Sequence, residues 1–192
     1  MIEIPSGILV QGRLRGEPMD QAPYSEPLEL RVDVPAYFID EFEFPNDPTQ
    51  PAITEVTSVD AERMCGEHGK RLCTTVQWER ACKGPEVSVY SYGQVYDPIC
   101  GDWSTGTPGM PVGDVPAHCR SGFGVAGLSS GVVEWALPSS QQDEARYATA
   151  ERALVKGGAR LSPVQYMRCA SVGDEVTLYS SSIIGFRCCW SR

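Results

Sequence analysis

The chain has 192 residues, of which 42% are hydrophobic, and its formal net charge is −9. This length suits one domain with one core, which we predict over residues 1–192. The acidic balance, with no cluster of Lys and Arg, argues against nucleic acid and anionic membrane surfaces as partners. No apolar run is long enough to cross a bilayer, so direct membrane insertion is not expected.

Strands dominate the first part of the chain. Ile2 and Ile4 alternate with polar residues ahead of a Pro-Ser-Gly turn, and a second apolar run follows that turn. The segment 13–27 is rich in Gly and Pro and is predicted to be a loop. The period-2 pattern typical of a half-buried strand falls at Leu28, Leu30, Val32 and Val34.

Two short helices are predicted next. The first covers about residues 59–68, with Ser58 as the N-cap and Gly69 just past its end. The second begins at Thr74, because Thr74 and Gln77 have the spacing of a capping box, and a Gly-Pro pair stops it. The region 90–190 is rich in Gly, Pro and Ser, which predicts short strands joined by long, tethered loops. The fold class is therefore α+β, with little regular secondary structure.

Eight cysteines lie at wide spacing in a chain with 15 Pro and 19 Gly. An even number favours a disulfide framework and an oxidising compartment. A structural metal site is the alternative, but closely spaced ligand pairs are missing, and His68 and His118 lie in unrelated contexts. His118 next to Cys119 also permits a thiol nucleophile with a base, although a bridged cysteine is the preferred interpretation.

Several short motifs follow one another along the chain: F-I-D at 38–40, G-K-R-L-C-T at 69–74, G-V-V-E-W at 131–135, K-G-G at 156–158 and G-F-R at 185–187. In this order they resemble the motifs of the formylglycine-generating enzyme, or sulfatase-modifying factor, family. The resemblance covers nearly the whole chain. It includes the usual opening of the family domain, which implies that Met1 can be an internal residue of a longer parent.

The resemblance implies the irregular C-type-lectin-like fold, in which two short helices pack on small antiparallel sheets. It also implies disulfides between Cys65 and Cys188 and between Cys82 and Cys169. With these assigned, the remaining four cysteines can pair as Cys73–Cys189 and Cys100–Cys119.

The oxidase chemistry of the family requires two further cysteines after its R-G-G-S motif, which bind copper(I) as thiolates. In this chain the segment 157–169 contains only Cys169, which matches a structural cysteine, and Ser162 stands near the place of the first copper ligand. We therefore expect no copper site and no oxidase activity of the family type.

Calcium is the other metal that the resemblance raises. The family places asparagine ligands where this chain has Gly101 and Gly131. Asp102, Asp114 and Glu134 remain as candidate oxygen donors for calcium. The alternative, which we prefer, is that they are ordinary surface or hydrogen-bonded carboxylates, so no cofactor is expected.

The resulting functional hypothesis is a non-catalytic binding or scaffolding module of an extracytoplasmic assembly, such as a bacterial envelope. Its partner would be another protein or the rest of its parent chain, contacted through loops 97–120 and 137–167. The candidate contact residues are Trp103, Tyr147, Arg160 and Tyr166. One alternative is a copper-dependent formylglycine-generating oxidase, which would need a free thiol pair such as Cys188 and Cys189. Another is a retroelement-diversified ligand-binding protein of the same fold.

Overall fold

The computed structural model describes residues 1–17, 26–101, 110–139, 152–159 and 162–191. Three α-helices lie in these ranges: α1 Ser58–Glu67, α2 Thr75–Lys83 and the single turn α3 Pro98–Gly101. Short 3-10 helices cover Val112–Asp114, Ala117–Cys119 and Val164–Met167. The ten strands are β1 Ile2–Ile4, β2 Gly7–Gln11, β3 Leu30–Val34, β4 Tyr37–Ile39, β5 Arg71–Leu72, β6 Val133–Ala136, β7 Arg152–Lys156, β8 Val172–Val176, β9 Ile184–Phe186 and β10 Cys188–Trp190.

The strands form three small sheets. One has the order β1-β4-β10-β5, the second is the β2-β3 pair, and the third has the order β8-β7-β6-β9. All pairs are antiparallel except β6 and β9, which run parallel, with Val133 opposite Ile184. The predicted α+β architecture of short helices and small sheets is confirmed. The parallel pair differs from the expectation of purely antiparallel sheets and depends on a long-range contact that local patterns do not encode.

Helix α1 begins one residue earlier than predicted. Its N-cap is Thr57, whose hydroxyl accepts a hydrogen bond from the Asp60 amide at 3.1 Å, so the prediction of Ser58 as the cap was wrong. Ser58 is already helical, and its hydroxyl donates instead to the Thr177 carbonyl. Gly69 follows the helix with a φ of +67°, a left-handed conformation in which glycine avoids the steric cost of a side chain.

Helix α2 begins with the predicted capping box between Thr74 and Gln77. All of its residues except Val76 are buried, because the helix contacts β2, β3 and β7. Its charged residues therefore need internal partners. Glu79 has two of them, Lys83 at 3.0 Å and Lys156 at 3.2 Å.

Four disulfides cross-link the fold, and one of them joins α1 to β10. The bridges are Cys65–Cys188 and Cys82–Cys169, the two pairs that the resemblance implies, and Cys73–Cys189 and Cys100–Cys119, the pairing suggested for the remaining four cysteines. Together they use all eight cysteines of the chain. Such a framework is typical of proteins that fold in an oxidising environment outside the cytoplasm. Within the described residues, the structure has no helix that is both long and apolar enough to span a membrane.

Candidate binding site

A half-open pocket of about 140 Å³ lies on the β8-β7-β6-β9 sheet. Side chains alternate between the two faces of a sheet, and the register places Val133, Val155 and Ile184 on the same face. These three residues form an apolar floor. The lining is completed by Gly157, Ser162, Tyr166, Ser171, Gly173, Glu175 and Ile183.

Local sequence explains why the pocket stays open. Gly173 lies opposite Val155 in the β7-β8 ladder, so β8 contributes no side chain at that point of the floor. Ser162 closes a turn, since its hydroxyl accepts a hydrogen bond from the Ala159 amide at 3.0 Å and its own amide donates to the Ala159 carbonyl. That turn precedes the 3-10 helix that carries Tyr166 to the pocket wall.

The pocket combines an apolar floor with a few polar groups, the usual composition of a recognition site. The hydroxyls of Ser162, Tyr166 and Ser171 and the carboxylate of Glu175 are polar side-chain groups of its lining. Glu175 is half-buried and forms no ion pair with any described residue. Its neighbour Asp174, on the opposite face of the strand, pairs with Arg152. The pocket can therefore accept an apolar side chain with a cationic group beside it.

Five exposed apolar side chains lie at the start of α1 and within residues 176–183, and we call them the apolar rim; one of them, Ile183, also lines the pocket. Leu178 is 74% exposed and Val59 58%. The segment that carries Leu178 is held against the start of α1, because the Ser58 amide donates to the Thr177 carbonyl. An exposed apolar cluster beside a pocket is a feature of interaction surfaces. The members of the rim are Val59, Val176, Leu178, Tyr179 and Ile183.

Of the residues that the sequence suggested for binding, Tyr166 lies in the pocket. Trp103, Tyr147 and Arg160 lie outside the described residues, as does the calcium candidate Asp102. Sequence reasoning missed the contribution of Ser171 and of the β8 residues Gly173 and Glu175. The stretch Val172–Val176 lacks the period-2 pattern of a half-buried strand, so no local pattern indicated a strand there.

The two described calcium candidates lie in different environments. Asp114 is exposed at the end of a 3-10 helix. Glu134 is fully buried in β6, where Arg187 donates to its Oε1 at 2.6 Å and to its Oε2 at 2.7 Å. Trp78 donates its indole N–H to Oε2 at 2.8 Å. Both oxygens of Glu134 are therefore engaged in a hydrogen-bonded ion pair.

A second buried carboxylate lies beside this pair. Glu43 Oε1 is 3.9 Å from the Arg187 guanidinium, and neither oxygen of Glu43 has a hydrogen-bond partner among the described residues. Burial raises the pKa of Glu43 to about 7, Arg187 opposes that rise, and the nearby Glu134 adds to it. Two acidic side chains thus share one arginine in the interior.

The family's copper(I) site requires a pair of thiolates, and the residues present do not supply them. Cys169 is bridged to Cys82, and the hydroxyl of Ser162 is engaged in a turn. All other cysteines are bridged as well. The chain has no thiol pair with which to hold copper.

Comparison with known proteins identifies structures of similar fold and the family of this chain. Three solved structures are similar in fold: PvdO from Pseudomonas aeruginosa (TM-score 0.76, 15% identity, 99% of this chain and 93% of that chain), Treponema denticola variable protein 1 (0.73, 15%, 100% and 95%) and CarF (0.70, 14%, 100% and 97%). The sequence has no match among curated proteins. Residues 40–192 match the family described as Sulfatase-modifying factor enzyme 1-like domain, and the chain therefore belongs to that family.

Proposed function

We propose that this chain is a non-catalytic recognition module built on the sulfatase-modifying-factor fold. The observation that carries the proposal is that all eight cysteines are in disulfides. The family oxidation needs free thiols, whereas every cysteine sulfur here cross-links the fold. The chain thus keeps the scaffold and lacks the groups that perform the chemistry.

The pocket and the apolar rim together form the surface that we propose for binding, which we call the binding face. Protein interfaces combine a buried apolar centre with polar groups that fix orientation. On the binding face, Val133, Val155 and Ile184 provide the apolar floor and Glu175 provides a fixed negative charge. A volume of about 140 Å³ accommodates one side chain of a partner.

The chemistry of the binding face favours a protein segment as the ligand. An apolar side chain would enter the pocket, and a neighbouring lysine or arginine would pair with Glu175. The net charge of −9 supports association with a basic partner. The partner is another protein of the same compartment or a further part of the parent chain, and the disulfides support an extracytoplasmic, oxidising location.

Site-specific photo-cross-linking in the producing organism tests this proposal. A photoreactive residue in place of Tyr179, in the apolar rim, should form one cross-linked species of defined mass. The same residue at Val95, which is 79% exposed and is not part of the binding face, serves as the control and should not form that species.

The charge of Glu175 provides a second, sharper readout. Glu175→Lys should abolish the cross-link from position 179, because the substitution places a repulsive charge at the pocket wall. Glu3→Lys makes the same change in net charge at the exposed position of β1 and should leave the cross-link intact. A cross-link that survives Glu175→Lys, or that also forms from position 95, contradicts the assignment of the binding face.

A further inference from the structure

One disulfide lies beside a histidine. The Cys100 and Cys119 sulfurs and a ring nitrogen of His118 lie within 4.8 Å of one another. Among the described residues this is the one place where three metal-ligating side chains meet. The chain has one other histidine, His68, whose Nδ1 lies 2.9 Å from the Met64 carbonyl oxygen on α1.

The histidine of the cluster is accessible from solvent. The two sulfurs are buried, but His118 and Asp97 line an open pocket of about 550 Å³. Their side chains are 60% and 38% exposed, and His118 Nε2 lies 3.9 Å from Asp97 Oδ2. The other carboxylate oxygen of Asp97 accepts the Ile99 amide at 2.8 Å, which fixes the carboxylate at the start of α3.

We propose that reduction of the Cys100–Cys119 bridge creates a zinc site, with Cys100, Cys119 and His118 as the protein ligands. Two thiolates and one imidazole are a ligand set that zinc favours. The fourth coordination position would be left to solvent, since His118 faces the open pocket. Asp97 is a positioning residue, because a carboxylate beside a ligating imidazole fixes its orientation and raises its basicity.

The chemistry balances with a dithiol as the reductant. The dithiol transfers two electrons and two protons to the Cys100–Cys119 disulfide and itself becomes a disulfide, which leaves two protein thiols. Zinc binding then releases both thiol protons, while the imidazole binds in its neutral form. In the oxidised protein no thiolate is present, so the metal site exists only in the reduced state.

This bridge is also the one whose opening disturbs the fold least. Its cysteines are 19 residues apart, whereas the other three bridges span 87, 116 and 123 residues. A disulfide that closes a short loop restrains the unfolded chain less than one that closes a long loop. Cys100–Cys119 joins α3 to the 3-10 helix whose His118 lines the open pocket.

The test begins with limited reduction by a dithiol until two thiols per chain appear. Alkylation and peptide mapping of one sample should place both thiols at Cys100 and Cys119. The remaining protein is freed of reductant without oxygen and titrated with Zn²⁺ against a chelating competitor. We expect one zinc per chain, sulfur-to-metal charge-transfer absorption with Co²⁺ as a probe, and neither signal from the oxidised protein.

Variants separate this site from unspecific thiol binding. Asp97→Asn retains a capping side chain for α3 and should weaken zinc about tenfold, and His118→Ala should weaken it more. His68→Ala is the matched histidine control and should bind as the parent protein does. Thiols mapped to other cysteines, zinc affinity unchanged in His118→Ala, or one bound zinc in Cys100→Ser/Cys119→Ser would each overturn the proposal.

Discussion

The two faces of the β8-β7-β6-β9 sheet differ in a way that reverses the usual pattern. One face presents Glu134 and Lys156, which are 0% and 2% exposed. The other face presents Val133, Val155 and Ile184, which form the floor of an open pocket. On the charged face Glu134 and Lys156 are enclosed, whereas the apolar face is accessible to solvent at one end.

Glu134 and Lys156 can be buried on the charged face because each has a partner of opposite charge. Arg187 pairs with Glu134, and Lys156 lies 3.2 Å from Glu79 of α2. Burial alone would raise the pKa of Glu79, but Lys156 and Lys83 lower it below its ordinary value. Such a network ties the sheet to the helix, whereas the open end of the apolar face remains available for binding.

The largest expected loss of stability follows removal of the disulfide between α2 and the segment that precedes β8. Cys82 lies on α2, and Cys169 lies 87 residues further along the chain, next to the pocket-lining segment. Replacing both by alanine should lower the free energy of unfolding by about 4–5 kcal/mol, because the unfolded chain gains a long unrestrained loop.

The matched control for that experiment is the double alanine variant at Cys100 and Cys119. Its loop of 19 residues predicts a smaller loss, about 3 kcal/mol, in the same denaturant titration. Equal losses, or the reverse order, would show that the entropy of the unfolded chain does not determine how much each disulfide stabilises the fold.

Removal of the buried arginine should cost nearly as much. Arg187→Met leaves Glu43 and Glu134 buried without a counter-charge, so we expect a loss of about 3–5 kcal/mol in the free energy of unfolding. Arg63→Met is the control, because Arg63 and Glu67 form an exposed ion pair whose loss should cost less than about 1 kcal/mol. A small change in the free energy of unfolding for Arg187→Met would show that this buried ion pair contributes little to stability.

The pH dependence of stability reports on Glu43. Its pKa is about 7 in the fold against an ordinary value of 4.5, so the folded protein retains a proton that the unfolded chain has lost. Stability from this group is therefore greatest at acidic pH and is lost as the pH rises through about 7. Glu43→Gln should gain on the order of 2 kcal/mol relative to the parent protein between pH 5 and pH 8.

Because every other titrating group is shared, the difference between the Glu43→Gln and parent curves isolates this carboxyl. Glu62→Gln, at an exposed position of α1, is the control for the loss of one carboxyl group from the chain. Parallel curves for Glu43→Gln and the parent protein would contradict the assignment of a retained proton.

The smallest effect on stability is expected at the open end of the sheet. Leu178→Asp should change the free energy of unfolding by less than about 0.5 kcal/mol, since Leu178 is 74% exposed. The same substitution should abolish the cross-link from position 179, whereas Val95→Asp should not. A large loss of stability would show that the apolar rim belongs to the folding core.

Part of the fold could be predicted from the sequence, because it depends on interactions between residues that are close in the chain. The capping box at Thr74 and Gln77 and the left-handed Gly69 depend on neighbours in the chain, so both could be predicted. The choice between Thr57 and Ser58 as the cap depended on a contact of Ser58 with Thr177, which is remote in sequence. The same limit applies to the parallel pairing of β6 with β9.

The candidate site was harder to predict than the fold. Tyr166 was proposed from the sequence, but Gly173 and Glu175 reach the pocket only through the register of β8 with β7. Glu134 was considered as a calcium ligand because the family resemblance places cation ligands in that region, and its partner Arg187 lies 53 residues away. Long-range pairing decides both cases, and no local pattern reports it.

The central claim is that this chain retains the fold of its family without the thiol chemistry. The most direct measurement is the number of free thiols in the denatured, non-reduced protein matured in its native compartment, with the intact mass before and after reduction. We predict no free thiols and a mass gain of eight hydrogens, from four disulfides. Two free thiols, together with stoichiometric binding of copper(I), would contradict the claim and favour an oxidase.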